Sequence, residues 1–217
     1  TDRQTDRQTD RQTDRQTDRQ TDRQTDRQTV IKLLQYVFGY AVVPIKDVAT
    51  IKRGKRVVKS QLTAKGDYPV YQNSMTPLGY HNESNCKGDT TFVIAAGAAG
   101  EVGYSQFKFW AADDCYYLNC TEYLLDRYLY YLLKNKQGDI LSKVRKVSIP
   151  RLSQTVLEKM VIVIPPIQEQ KRIIRLLDRF DKLCNDLSDG LPAEIEARQK
   201  QYEYYRDKLL DFKERIV

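Results

Sequence analysis

The chain has 217 residues, 41% of them hydrophobic, and a formal net charge of +7 at pH 7. This length suits one ordinary domain and an appendage. No apolar run approaches the roughly 18–20 residues of a membrane-spanning helix, and the polar N-terminus lacks the apolar core of a signal peptide. These features exclude an integral membrane protein and predict a cytoplasmic one.

The positive charge is concentrated in one part of the chain. Residues 1–28 contain seven Asp and seven Arg, and residues 165–217 contain eleven positive and eleven negative side chains. Residues 29–164 contain eighteen positive and eleven negative side chains, so the whole excess of seven lies there. A concentrated positive field is typical of proteins that bind a polyanion, and nucleic acid is the expected partner.

Residues 1–28 are seven identical copies of the tetrapeptide TDRQ. A TDRQ helix has no apolar face, so the isolated tract is expected to be disordered. Attached to a helix that begins near Val30, it is expected instead to form a polar helix of about 42 Å. The sequence leaves both states open.

The identity of the seven copies also suggests an origin in the gene. Thr-Asp-Arg-Gln can be encoded as ACA-GAC-AGA-CAG, which repeats the bases ACAG, and gain or loss of one such unit shifts the downstream reading frame. We therefore interpret residues 1–28 as a spacer and as a contingency tract that makes the gene phase-variable. The chain does not begin with Met, so we expect a fragment or a processed chain.

Residues 29–164 combine strand and helix patterns. Short runs rich in β-branched and aromatic residues, bounded by Gly, Pro, Asn or Asp, predict strands. These runs are YPVYQN (68–73), TTFVIAA (90–96) and VIVIPP (161–166). TEYLLDRYLYYLLKN (121–135) has apolar residues at helical spacing, with Thr121 as the expected N-cap. Because strands and helices do not alternate regularly, we predict an α+β fold, with a mixed domain followed by long antiparallel coiled-coil helices.

No catalytic or metal site can be assembled from these residues. The single histidine, His81, lies in a polar stretch without a nucleophile elbow, and the chain has no phosphate-binding P-loop. AAGAAGEVG (95–103) predicts a turn between strands, and Asp113 with Asp114 a surface turn. The four cysteines form no C-x-x-C pair and are expected to be reduced thiols. They are Cys86, Cys115, Cys120 and Cys184.

Two basic segments and a polar one predict a double-stranded DNA interface. IKRGKRVVK (51–59) and SKVRKVSIPR (142–151), which ends in Arg151, supply side chains that neutralise phosphates. YQNSMTPLGYHN (71–82) supplies amides, which can pair bidentately with adenine. A solvated surface is the alternative for each basic residue. The predicted DNA-binding residues are Lys52, Arg53, Lys55, Arg56, Lys59, Gln72, Asn73, Tyr80, His81, Lys143, Arg145 and Lys146.

Residues 165–217 are predicted to be helical, with a break at DGLP (189–192). An apolar stripe precedes the break, and apolar residues recur every seven positions after it, as in a coiled-coil seam. We expect these helices to pack on another helix and to mediate dimerisation; a hairpin packed on its own domain is the alternative. The seam residues are Ile173, Leu177, Phe180, Ile195, Tyr202, Tyr205, Leu209 and Phe212.

Residues 164–212 resemble the distal conserved region of the specificity (S) subunit of type I restriction–modification systems. The shared pattern is a short strand, two prolines, Glu-Gln, a helix, a Gly-Leu-Pro break and a helix rich in Tyr and Arg. The matching residues are Pro165, Pro166, Glu169, Gln170, Gly190, Leu191, Pro192, Tyr204, Tyr205 and Arg206. Upstream, residues 45–57, residues 66–73 and the element Phe109, Trp110, Asp113 resemble one target recognition domain.

The resemblance implies a non-catalytic subunit that reads one half of a bipartite DNA target. It also implies docking of methyltransferase (M) and restriction (R) subunits, with paired helices that set the distance between half-targets. S-adenosylmethionine, ATP and Mg²⁺ are implied for those partner subunits, and no cofactor or metal for this chain.

A complete S subunit has two recognition domains and two helical regions, whereas this chain has one of each. It is therefore either a half-subunit, pairing as a homodimer or with another half, or the C-terminal part of a longer subunit. Self-pairing implies a target of two inverted half-sites with a fixed gap. The alternative from another class is a coiled-coil assembly protein whose basic domain binds RNA or an acidic protein.

Overall fold

The computed structural model describes residues 28–146, 148–181 and 200–201, with the exception of the side chain of Lys59. The chain divides into two units, Thr1–Lys171 and Arg172–Val217. The described helices are α1 (residues 28–38), α2 (Asp126–Asn135), α3 (Gln137–Ser142), α4 (Gln154–Glu158) and α5 (residues 167–181). The described strands are β1 (Ala41–Pro44), β2 (Ala49–Arg53), β3 (Tyr68–Tyr71), β4 (Gly79–His81), β5 (Thr90–Ile94), β6 (Val102–Ser105), β7 (Trp110–Ala111), β8 (Cys115–Cys120) and β9 (Val161–Ile164).

The first unit is built around an antiparallel sheet with the strand order β2-β8-β5-β6. All five residues of β5 are buried, because both faces of this sheet are covered. Helix α2 packs on one face, where Thr91 Oγ1 donates a hydrogen bond to the carbonyl oxygen of Asp126 at 2.7 Å. On the other face the Phe92 ring stacks on Tyr71 at 4.7 Å and packs on Phe109 at 5.2 Å. This aromatic cluster is the core between the main sheet and the small sheet β4-β3-β7.

Strands β1 and β9 form a separate antiparallel ribbon. Alternate residues of both strands, including Val43 and Ile162, are buried, while Val42 and Val163 face outward. The side chain of Gln35 in α1 donates hydrogen bonds to the carbonyl oxygens of Ile164 and Pro165, both at 3.2 Å. The beginning and the end of the domain are thereby joined.

The main sheets are antiparallel apart from the parallel pair β3–β7, and helices do not alternate with strands. The predicted α+β domain is therefore confirmed, and its three predicted strands appear as β3, β5 and β9 with shorter bounds. The turn predicted at 95–103 lies between β5 and β6, and Gly97 and Gly100 adopt φ values of +83° and +91° there. Glycine populates this left-handed region without steric cost.

The predicted N-cap of the helix in 121–135 was wrong. Helix α2 begins at Asp126, and Leu125 is its N-cap. The Thr121 N–H donates to the carbonyl oxygen of Val48 at 2.9 Å, which continues the pairing of β8 with the chain before β2. Thr121, which helix propensity assigned to the N-cap, is thus part of the sheet pairing.

The second unit is described for residues 172–181, which are helical, and for residues 200–201. Ile173 and Leu177 are half-buried, and Phe180 is exposed. The other predicted seam residues and the Gly-Leu-Pro break lie outside the described residues, as does the TDRQ tract up to residue 27. Within the described ranges, no helix is both long enough and apolar enough to cross a membrane.

Candidate nucleic-acid interface

Two open depressions adjoin each other on the first unit and share three lining residues, Arg53, Asp114 and Arg151. The larger has a volume of about 600 Å³ and the smaller about 260 Å³. We call the two depressions together the arginine cleft. The larger one is also lined by Arg56, Leu62, Gln72, Leu78 and Asp113. The smaller one is also lined by Ala95, Ala96, Tyr116, Arg145 and Leu152.

Arg53 is the last residue of β2 and lines both depressions. Because side chains alternate along a strand, Arg53 lies on the same face as the buried Ile51, and Lys52 lies on the opposite face. Arg53 Nη2 is 3.7 Å from Oδ1 of Asp114, and Arg53 Nε donates a hydrogen bond to the carbonyl oxygen of Asp113. The predicted surface turn at these two aspartates therefore also orients Arg53.

Gly54 brings the chain after β2 against the turn between β7 and β8. A Cβ atom at Gly54 would lie 2.2 Å from the carbonyl oxygen of Ala112 and 2.3 Å from that of Ala111. The Lys55 N–H donates to the Ala111 carbonyl at 3.0 Å. Only glycine permits this approach of two backbones, which sets the course of the chain between Arg53 and Arg56.

Arg145 and Arg151 reach the smaller depression from paired backbone positions. The N–H of each donates to the carbonyl oxygen of the other, at distances of 2.9 and 3.1 Å. Arg151 is also paired with Ala96, and the adjacent Leu152 N–H donates to the carbonyl oxygen of Ala95 at 2.8 Å. Directly opposite residues project from the same face of such pairs, so Arg145, Arg151 and Ala96 line one wall together.

The polar segment after β3 contributes Gln72 to the larger depression. Asn73, which is exposed, accepts a hydrogen bond at its carbonyl oxygen from the Ala98 N–H at 2.9 Å. A Cβ atom at Gly97 would lie 2.7 Å from that same oxygen, so the two backbones are in close contact. The main chain of Asn73 thus attaches the Gln72 segment to the turn that follows β5.

Tyr80 and His81 do not line the arginine cleft. The His81 ring packs on Trp110 with 4.4 Å between ring centroids, and His81 Nδ1 accepts a hydrogen bond from the Glu83 N–H at 2.9 Å. Trp110 Nε1 donates to the carbonyl oxygen of Lys55 at 3.0 Å. His81 is the last residue of β4.

The predicted lysines whose side chains the structure describes do not line the cleft either. Lys55, Lys143 and Lys146 are exposed, and Lys52 lies on the other face of β2. Of the eleven predicted side chains that the structure describes, four come together at the cleft. They are Arg53, Arg56, Gln72 and Arg145. The contact of each of the twelve with DNA stays a prediction.

Arg151 was placed in a phosphate-neutralising segment but was not included among the twelve predicted DNA-binding residues. Its only signal was its place at the end of the basic segment 142–151. Its pairing with both Arg145 and Ala96 brings it to the wall of the smaller depression. Ala96 and Arg151 are far apart in sequence, so no local turn motif could have predicted that they pair.

The cysteines of the core do not offer a reactive site. Cys86 and Cys115 are buried, and burial raises the pKa of the Cys86 thiol to about 12 and that of the Cys115 thiol as well. A neutral thiol is neither a nucleophile nor a metal ligand. Among the residues that the structure describes, no group of His, Cys, Asp and Glu side chains could hold a metal ion.

The chemistry of the arginine cleft is that of polyanion recognition. Guanidinium groups form bidentate hydrogen bonds with phosphate and with guanine, and an amide such as Gln72 matches the edge of adenine. An α+β domain that gathers these groups on one surface has the features of a nucleic-acid-binding module.

Residues 39–197 match the family model of the type I restriction modification DNA specificity domain. The chain belongs to this family. The resemblance to S subunits that the sequence motifs predicted is therefore confirmed, as is the expectation of a DNA-recognition subunit instead of a catalytic one.

Relatives named as specificity subunits are similar over most of the chain. A putative type I specificity subunit of Mycoplasma pneumoniae is 33% identical over 177 residues, which are 79% of this chain and 74% of that protein. The specificity subunit of the type I restriction enzyme MpnII from the same species is 34% identical over 173 residues, which cover 77% of this chain and 52% of the relative.

The fold is shared with a crystal structure of the S subunit of a type I restriction–modification system from M. genitalium. The TM-score is 0.63 at 24% sequence identity, and the match covers 81% of this chain and 46% of that one. The chain thus spans about half the length of this structure and of the MpnII relative.

Proposed function

We propose that this chain is the DNA sequence-specificity subunit of a type I restriction–modification complex and reads one half of a bipartite target. The observation that carries the proposal is the convergence of three sequence segments on one cleft. Residues 51–59 contribute Arg53 and Arg56, residues 71–82 contribute Gln72, and residues 142–151 contribute Arg145 and Arg151. Because the chain belongs to a family of DNA specificity domains, we assign double-stranded DNA as the partner of this basic surface.

In this proposal the subunit supplies recognition and its partners supply the chemistry. M subunits would transfer a methyl group from S-adenosylmethionine to adenine, and R subunits would use ATP and Mg²⁺ to cleave unmodified DNA. The complex would act in the cytoplasm, where its DNA substrate is. The second unit, which the sequence predicts to be helical, is the surface that we assign to the partner subunits.

We further propose that the chain completes a bipartite reader by pairing with a second copy or with another half-subunit. The proposal is supported by the single match to the specificity domain and by the heptad spacing of Ile195, Tyr202 and Leu209. Two identical halves related by two-fold symmetry would read an inverted repeat with a fixed gap.

The TDRQ tract is proposed to make this reader phase-variable. Slippage by one four-base unit would shift the frame and switch the product, and in-frame changes would alter the length of the segment before the recognition domain. Sequencing the gene tests the point: synonymous codons that break the ACAG repeat would remove its basis.

The test of the main proposal is a methylome. The chain is expressed with its M subunit in a host free of adenine methylation, and N6-methyladenine is mapped by single-molecule sequencing. A gapped inverted-repeat motif is expected if the chain pairs with itself. A stable complex with M that methylates nothing would show that another half is required.

The specificity-subunit proposal can also be contradicted by a defined result. Failure to bind M, together with equal affinity for RNA and for any duplex, would contradict the specificity-subunit proposal. It would favour a coiled-coil assembly protein with a basic binding domain.

A further inference from the structure

The smaller depression of the arginine cleft has an unbalanced charge. Arg145 and Arg151 occupy directly opposite positions of a hydrogen-bonded pair, where Cα atoms are about 5.5 Å apart and like charges destabilise one another. Arg53 lines the same depression from β2. With Asp114 as the acidic lining residue, three positive charges and one negative charge leave a net charge of +2.

Only one of these arginines has a carboxylate partner within the described part of the chain. Arg53 Nη2 is 3.7 Å from Asp114 Oδ1, a distance that gives a weak ion pair at an exposed position. Arg145 and Arg151 are both exposed. Two arginine side chains that start from directly opposite backbone positions and line one depression can share an anion.

The shape of the depression suits a tetrahedral anion. Ala96 projects from the same face as the two arginines, and its methyl group leaves the space between the walls open. The volume of about 260 Å³ is open to solvent and leaves room for a phosphate group of an extended polymer. Tyr116 also lines the depression, and its hydroxyl donates a hydrogen bond to the carbonyl oxygen of Leu152 at 3.3 Å.

We propose that Arg53, Arg145 and Arg151 form a clamp for a backbone phosphate of duplex DNA, beside the base-reading surface that Arg56 and Gln72 form. This inference rests on the proposed function and divides the arginine cleft into two parts. The smaller depression supplies affinity that does not depend on sequence. The larger depression, with Arg56 and Gln72, is the part that meets base edges.

The division is testable through the salt dependence of binding. Each phosphate contact of a protein with duplex DNA contributes about 0.9 to the slope of log K against log salt. The full chain is titrated with a short mixed-sequence duplex between about 50 and 200 mM salt. The double variant Arg145→Gln, Arg151→Gln is expected to lower the magnitude of the slope by about 0.9, because the contact with one phosphate is lost. Arg145→Lys with Arg151→Lys keeps both charges and should retain the slope.

Lys108→Gln is the matched control. Lys108 is exposed and follows β6, whose end Ser105 pairs with Thr90 at the start of β5. The smaller depression contains Ala95 and Ala96, which follow the other end of β5. Removal of the charge of Lys108 should leave the slope unchanged. Circular dichroism would confirm that all variants are folded.

The outcomes separate the clamp from the function on which it rests. If the wild-type chain binds duplexes without any preference for the motif found by the methylome, the proposed function fails. If it binds that motif but the double variant keeps the wild-type slope, the clamp alone is wrong. If the double variant changes base preference at an unchanged slope, these arginines read bases instead.

A final experiment tests whether the clamp binds a phosphate of DNA or a small phosphorylated ligand. Inorganic phosphate is titrated into the wild-type chain and the double variant while the melting temperature is followed. Phosphate that stabilises only the wild-type chain, together with an unaltered DNA slope, would assign the depression to a small phosphorylated ligand and overturn the clamp. We expect instead that inorganic phosphate competes with DNA, so that it weakens DNA binding by the wild-type chain and not by the double variant.

Discussion

The side-chain amide of Gln170 donates a hydrogen bond to the carbonyl oxygen of Tyr123 at 2.7 Å. The same nitrogen donates to the Pro165 carbonyl at 2.8 Å, and Gln170 Oε1 accepts from the Leu125 N–H at 2.9 Å. Gln170 is completely buried. The glutamine of the Glu-Gln motif thus joins the start of α5 to the chain between β8 and α2.

Replacement of Gln170 by Leu should lower the free energy of unfolding by about 3 kcal/mol, because a buried N–H and two carbonyl groups lose their partner. Denaturant unfolding of the full chain measures the change. Gln168→Leu is the control, since Gln168 is exposed in the same helical turn and should change stability by no more than about 0.5 kcal/mol. Equal effects of the two variants would show that the amide network is not important.

Gly54→Ala should destabilise the first unit by about 3 kcal/mol or more, because its Cβ atom would overlap carbonyl oxygens that cannot move independently of the sheet. Thermal unfolding measures this effect. Gly138→Ala in α3 is the opposite case, since nothing lies within 4 Å of its Cβ position. That variant should stabilise the protein by about 0.4–1 kcal/mol. A mild effect at Gly54 would contradict the close backbone approach.

Gln72→Ala should change sequence preference with little effect on stability. An amide that pairs with one base contributes about 1–3 kcal/mol of discrimination, so one position of the methylation motif should become degenerate. The methylome of the variant complex measures this directly. Gln106→Ala is the control, because Gln106 is exposed in the loop between β6 and β7. A motif that stays the same in both variants would remove Gln72 from the base-reading surface.

Lys87→Met should reduce stability in a pH-dependent way. Burial raises the pKa of the Asp126 carboxyl above its ordinary value of 3.8, and the charge of Lys87, whose Nζ is 3.3 Å from Oδ2, opposes that rise. A raised acid pKa means that the folded state holds the proton more tightly, so the cost of the buried carboxylate appears as pH rises through that pKa. Lys87 offsets the cost only when Asp126 is ionised.

At pH 7 the loss of Lys87 should therefore cost about 1–2 kcal/mol, and the difference from wild type should vanish as pH falls below 3.8. Urea unfolding across this range gives the profile. Lys108→Met tests whether any exposed lysine has the same effect. A difference that is constant with pH would refute the coupling of Lys87 with Asp126.

Local patterns were sufficient wherever the deciding interactions lie close together in sequence. The β-branched and aromatic runs at 68–73, 90–96 and 161–166 predicted β3, β5 and β9, and the glycines of 95–103 predicted the turn between strands. The motif of residues 164–212, with its Pro-Pro, Glu-Gln and Gly-Leu-Pro elements, carried the resemblance to the family, which the comparison confirmed.

Only the tertiary structure decided which basic residues meet. Arg53 is oriented by Asp114, and Arg151 pairs with Ala96, across separations at which sequence carries no distance information. Thr121 continues the sheet in place of capping a helix, because its N–H is taken by Val48. The amino-acid sequence alone determined that the excess positive charge lies in the middle segment, because charge is a property of composition. Long-range backbone pairing, which depends on the packing of the whole sheet, determined where the arginines of that segment converge.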